Sequence, residues 1–328
     1  ERSESMVQFQ SYRLLHSLAV LGGLLLIVVL WAGITACGRE SDMDRPVLDV
    51  WVSIPPQAGL VEAVGGDRVS VQVLVRPGDS PATYQPTPRQ LAELSRADVF
   101  FRIGVPFENV MMPKIASLVG DLPIVDNRAG ITLRPMDEES DLEKDADGEH
   151  DDHDHGAMDP HIWLDPRNDI IMAATIRDTF IGLDPAGRAQ YEANARKLIG
   201  QLKQLDADLR RLLTPLKGHE IFVYHPSFGY FADAYGLRQV AIETGGREPG
   251  PRGLGLLIEQ ARRRHARVIF VQPQFDRKNA ETIAKAIGGV VEVLDPLAPD
   301  VLSNLSAMAE KVSHQFQQTG FDDSQTAL

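Results

Sequence analysis

The sequence predicts an α/β protein of two lobes, each with a central parallel sheet, joined by one long rigid helix. Three observations carry this. Short β-branched and apolar runs alternate with helical patterns from residue 47 to about 135. The same alternation resumes after residue 217. Between them, Leu198, Leu202, Leu205, Leu209, Leu212 and Leu213 recur at three- and four-residue spacings. Alternation of this kind places parallel strands in a sheet with helices on its faces, and the leucine spacing is that of one helix face.

In order, Val47–Ile54 reads as a buried strand, Gln57–Val64 as a helix, and Val69–Val75 as an alternating strand. Residues 77–88 hold four prolines and a glycine and read as a loop. Pro88 then opens a helix over Arg89–Ser95. Val99–Ile103 is a strand, Phe107–Leu118 a helix and Ile124–Asp126 a short strand. Asn168–Leu183 is helical. Asp184-Pro185 reads as cap and first residue of the long helix, which runs to about Leu216 and spans roughly 48 Å if continuous. Strands follow at Glu220–Tyr224, Val240–Glu243, Val268–Val271 and Val290–Leu294. Helices lie at Phe228–Tyr235, Gly253–His265, Lys278–Ile287 and Val301–Gln318.

Two segments stand outside this pattern. Leu14–Ala36 is almost continuously apolar, follows Arg13 and ends at Cys37, the only cysteine in the chain. A hydrophobic core, small residues and then a cysteine read as a lipoprotein signal, with Cys37 the lipidation site. An uncleaved membrane span is the competing reading. Met6 is a candidate start. The second segment, 136–156, is acidic and histidine-rich with almost nothing apolar, the composition of a loop that does not pack. The expected organisation is therefore signal (1–36), tether (37–46), N-terminal lobe (47–184, carrying the loop), connecting helix (185–216) and C-terminal lobe (217–328).

The formal net charge is −13, and no basic stripe is present. Nucleic acid is excluded as an expected partner, and cations are favoured. Four of nine histidines fall within twelve residues: His150, His153 and His155 among aspartates, and His161 among prolines and apolar residues. The first three read as a mobile cation collector and the fourth as an ordered position. His225 and Asp295 each follow a predicted strand, where open α/β sheets place ligands. Two imidazoles and a carboxylate suit a borderline divalent cation such as zinc. Each residue also has a plainer reading, as a structural hydrogen-bonder, a turn former or a solvated acidic face.

The wider pattern favours the ligand reading. Arg76-Pro77-Gly78, Thr83-Tyr84-Gln85-Pro86-Thr87-Pro88, Asp159-Pro160-His161-Ile162-Trp163-Leu164-Asp165-Pro166, Tyr224-His225-Pro226-Ser227-Phe228-Gly229-Tyr230-Phe231, Val271-Gln272-Pro273-Gln274-Phe275 and Leu294-Asp295-Pro296-Leu297 occur in this order across the chain. In them the chain resembles the periplasmic zinc and manganese receptors of bacterial ABC importers. The resemblance implies two lobes, one long joining helix, metal in the interlobe cleft, and delivery to a membrane permease driven by an ATPase subunit. It implies His161, His225 and Asp295 as metal ligands, and an acidic histidine loop typical of the zinc branch. The family's further histidine, two residues before Tyr84, is Ala82 here, and Gln85 stands where glutamate is usual. Water or one of His150, His153 and His155 is the expected substitute.

The expected protein is an exported, membrane-anchored monomer facing the periplasm or cell exterior, with Zn2+ as cargo and no enzymatic activity. Mn2+ or Fe2+ is the alternative cargo, since harder ions favour oxygen ligands. A zinc hydrolase is the rival from another class. It lacks a His-Glu-x-x-His run, and only Glu243 and Glu248 offer a base near the cleft. A surface adhesin or a metal sensor is a further alternative. Zinc affinity is expected to fall below about pH 6.5, where histidine protonates.

Overall fold

Among the described residues, eight strands form two four-stranded parallel sheets of identical order. In the first, β1 (Leu48–Val52), β2 (Val69–Val73), β3 (Val99–Arg102) and β4 (Ile124–Asp126) run in the order β2-β1-β3-β4. In the second, β5 (Glu220–Val223), β6 (Arg238–Ala241), β7 (Val268–Val271) and β8 (Val290–Val293) run in the order β6-β5-β7-β8. The computed structural model describes residues 47–118, 122–136, 158–243 and 250–318, which belong to one compact unit, Val47–Leu328. Cys37, Glu248 and the loop histidines His150, His153 and His155 lie outside the described residues.

The central strands explain their own position. β7 reads Val-Ile-Phe-Val and is buried along its whole length, as a parallel strand covered on both faces must be. The edge strand β2 reads Val-Ser-Val-Gln-Val, and its Ser70 and Gln72 are exposed. Alternation along β5 and β7 sorts two cores. Ile221, Val223, Val268 and Phe270 join a core that continues into the N-terminal sheet, while Phe222, Ile269 and Val271 join a second core on the far face.

The helices are α1 (Pro55–Gly65), α2 (Pro88–Leu94), α3 (Pro106–Leu118), α4 (Pro166–Leu183), α5 (Arg188–Leu213), α6 (Gly229–Tyr235), α7 (Pro251–Arg263), α8 (Arg277–Ile287) and α9 (Val301–Gln318). Thr87 and Asp165 cap α2 and α4, accepting from the backbone N–H of Gln90 (3.3 Å) and Arg167 (2.9 Å). The connecting helix α5 has 26 residues, about 39 Å. It packs against α1 and α4 of the first lobe and against the C-terminal α9. Its leucine face is buried in the core shared by both lobes.

Its ends differ from the sequence expectation for two physical reasons. Pro185–Gly187 and Thr214–Leu216 are 3-10 turns rather than α-helix. Pro215 has no N–H to continue the helical ladder. Asp184 makes no side-chain cap, because its carboxylate is taken by tertiary partners. Oδ2 of Asp184 accepts from Arg68 Nε and Nη2 and from Tyr191 Oη, all at 2.7 Å. This buried cluster ties the turn before β2 to the start of the connecting helix.

Candidate metal centre

Both sheets reverse direction of winding between their two middle strands, and loops at the carboxyl ends of those strands are where an α/β sheet meets its ligand. In the first sheet this point is closed internally. Glu108 is buried and accepts from Ser53 Oγ (2.5 Å) and from the N–H groups of Ile103 (2.8 Å) and Gly104 (2.7 Å). In the second sheet the loop after β5 carries His225. Gln272, just after β7, brackets it. Gln272 Oε1 accepts from the His225 N–H (3.2 Å), and its Nε2 donates to the His225 carbonyl (2.7 Å) and to Ser227 Oγ (2.9 Å).

His161 arrives from the other lobe, on the turn before the 3-10 segment Ile162–Leu164. Its ring and that of His225 lie edge to face, 5.5 Å between centroids, at 73°. The structure thus brings together two of the three sequence-predicted ligands, 64 residues apart in the chain. The third, Asp295, sits in the adjoining loop after β8. Trp163 Nε1 donates to the Pro296 carbonyl (2.6 Å), fixing the His161 turn against the Asp295 loop. Asp295 Oδ1 accepts from the Leu297 N–H (2.9 Å) and from Gln274 Nε2 (3.2 Å). Among the described residues, no three His, Cys, Asp or Glu side chains converge to a spacing that holds a metal ion.

Each imidazole is backed by a buried carboxylate. His161 Nδ1 lies 2.7 Å from Asp159 Oδ1, and His225 Nδ1 lies 3.2 Å from Glu243 Oε2. With Nδ1 donating to a carboxylate, each ring keeps its Nε2 lone pair for a metal, the arrangement that fixes the tautomer in metal-binding histidines. Burial pulls His161 below the ordinary histidine value despite Asp159, which favours the neutral, metal-binding form. Burial alone would raise Asp159, but its bonds to His161 and Arg134 hold it below the usual carboxylate range.

Arg134 is the joint behind this pair. Its guanidinium bonds Asp159 Oδ2 (3.0 Å) and Asp233 Oδ2 on α6 (2.9 Å), so the carboxylate that orients His161 is itself anchored to the second lobe. Gly229 makes room for it. A Cβ there would run into Arg134 Nη1 and stand 2.7 Å from Asp159 Oδ2.

By sequence alone, Glu243 stands out only as a base for a hydrolase. The structure places it against His225 Nδ1, where it orients the ring. Asp159 was visible only as part of a motif, though a carboxylate two residues before a histidine is a local signal. Gln272 had no such signal, because its role depends on β5 and β7 being neighbours. In the first lobe, the Ala82 loop borders a cavity of about 300 Å3 lined by residues including Arg76, Asp79, Thr83 and Gln85. The Ala82 N–H donates to Ser80 Oγ (3.3 Å), and Tyr84 packs edge-on against Phe107 (5.3 Å).

Known proteins resemble this chain along most of its length. Residues 50–314 match the family model described as the periplasmic component A of the zinc-uptake complex. The chain is 29% identical over 284 residues to the high-affinity zinc uptake system protein ZnuA of Bacillus subtilis (strain 168), covering 84% of this chain and 88% of that one. A crystal structure of ZnuA superposes with a TM-score of 0.74 at 39% identity, covering 82% of this chain and 99% of that chain. A zinc-bound ZnuA deletion mutant superposes with a TM-score of 0.72 at 39% identity, covering 82% and 98%.

Proposed function

The chain belongs to the periplasmic component A family of zinc-uptake complexes, and from that premise we propose that it captures Zn2+ outside the cytoplasm at His161, His225 and Asp295. It is a solute-binding receptor, not an enzyme. The observation that carries the site is the pair of facing imidazoles, each with Nδ1 held by a buried carboxylate. Such a pair offers two neutral nitrogen donors, which suit a borderline cation better than a hard one. Asp295 adds an oxygen donor from the loop that Trp163 holds against His161. Mn2+ or Fe2+ is the alternative cargo.

In this reading the receptor passes its ion to an ABC permease served by an ATPase subunit, with no nucleic acid partner. A lipid on Cys37 tethers the mature protein, as a monomer, to the membrane. The lobes are residues 47–184 and 217–328, joined through 185–216. The acidic segment 136–156, with His150, His153 and His155, raises the cation concentration around the receptor.

The metal-stripped full chain, without a histidine tag, is expected to bind one zinc ion and to prefer zinc over manganese in direct competition. Preference for manganese would overturn the choice of cargo. Deleting residues 138–155 is expected to slow uptake at scarce zinc and leave it unchanged at plentiful zinc. Equal uptake at every concentration would remove the collecting role.

A further inference from the structure

We propose that Gln274 is a specificity-determining residue: it caps one oxygen of Asp295 and restricts that carboxylate to one-oxygen binding, which favours a four-coordinate ion over a six-coordinate one. The inference rests on the reading of Asp295 as a metal donor. A carboxylate oxygen offers two lone pairs. Oδ1 of Asp295 uses both, for the Leu297 N–H at 2.9 Å and Gln274 Nε2 at 3.2 Å. Among the described residues, Oδ2 takes no hydrogen bond, so a single oxygen is left for an ion.

The consequence follows from coordination number. Zinc is served by four ligands, and one carboxylate oxygen suffices. Manganese groups with the ions that suit octahedral oxygen sites. A carboxylate that binds through both oxygens lets one residue supply two oxygen ligands, as it does at calcium sites. Gln274 closes that route at Asp295.

Its position is fixed by its neighbours. Gln272 brackets the backbone of His225, and Phe275 stacks on the His225 ring at 5.0 Å and 25°. One loop after β7 thus orders His225 through two residues and caps Asp295 through a third. The loop sets the second lobe's two donors relative to each other, and only the Gln274 contact reaches an oxygen that could meet the ion.

The test is zinc–manganese competition on the metal-stripped full chain, comparing the native protein with Gln274→Met and Asp295→Ala. Methionine keeps the length of the side chain and removes the donor. The zinc-over-manganese ratio is expected to fall at least about threefold in Gln274→Met, within the range of one lost hydrogen bond. X-ray absorption of that variant loaded with manganese should show one more oxygen neighbour than the native protein. An unchanged ratio, or an equal fall in both affinities, overturns the role of Gln274. If Asp295→Ala still loses zinc affinity, the site reading survives that failure. If Asp295→Ala binds zinc as the native protein does, the site reading and the role of Gln274 fall together.

Discussion

His161→Ala and His225→Ala each lower zinc affinity by more than about 100-fold, beyond the roughly 10–100-fold that follows loss of an outer partner of a metal ligand. Each removes a nitrogen donor outright. Asp159→Asn and Glu243→Gln form the graded comparison. They keep the side-chain shape but weaken the hold on Nδ1, so their losses fall inside that lower range. The double histidine variant loses less than the product of the single losses, because the two rings act on one ion. Competition titration against a chelator of known affinity measures the series. The fold should survive in all of them, since the rings keep 12% and 18% of their side-chain surface exposed and belong to neither core. Far-ultraviolet circular dichroism checks that point. Equal affinities for His161→Ala and the native protein would remove His161 from the site.

Asp184→Ala destabilises the protein by about 3–5 kcal/mol at neutral pH, the range for breaking a buried ion pair from one side. Asp184 is 5% exposed and holds Arg68 and Tyr191 at once, and Arg68 is itself 6% exposed. Removing the carboxylate leaves the guanidinium buried without its counter-charge. Burial alone would raise Asp184, but the bonds from Tyr191 and Arg68 hold it below the usual carboxylate range. The same contact acts on its partner: burial, and then the bond to Asp184, push Tyr191 up to about 12. A carboxylate with a lowered folded-state value contributes stability above its unfolded value of 3.8, and that contribution is lost as pH falls through the lower folded value. The variant and the native protein should therefore differ most near neutrality and converge in strong acid. Urea unfolding at a series of pH values measures both. A constant difference at every pH would contradict the assignment. Tyr191→Phe, which removes a hydrogen bond to the Asp184 carboxylate but no charge, should cost about 1.5–3 kcal/mol, the range for a hydrogen bond to a charged group.

Much of the fold is legible because its central strands and helix faces are local patterns. The continuous apolar run of β7 and the leucine face of α5 each state their environment in a few residues. The limits of α5 are not local. Asp184-Pro185 has the form of a helix start, yet the Asp184 carboxylate is claimed by Arg68, 116 residues earlier in the chain. The order of strands is not local either, since nothing in β5 announces that β6 and β7 flank it.

The site divides in the same way. His161 and His225 are 64 residues apart, and no spacing rule joins them. Family motifs pointed to both, and the fold supplies the 5.5 Å approach. Asp159 is readable beside His161 because the chain places it there. Glu243 reaches His225 only because the end of β6 lies beside the end of β5, where the Glu243 N–H donates to the Tyr224 carbonyl at 2.8 Å. Gln272 and Gln274 act across strands and were readable only as motif letters.

Diffraction from a zinc-loaded crystal, collected on both sides of the zinc absorption edge, tests the central claim most directly. One strong anomalous peak is expected about 2.0–2.1 Å from Nε2 of both His161 and His225, with an oxygen of Asp295 completing the protein ligands. A peak bonded to neither Nε2, or bonded through Nδ1 with Asp159 and Glu243 displaced from the rings, would contradict it.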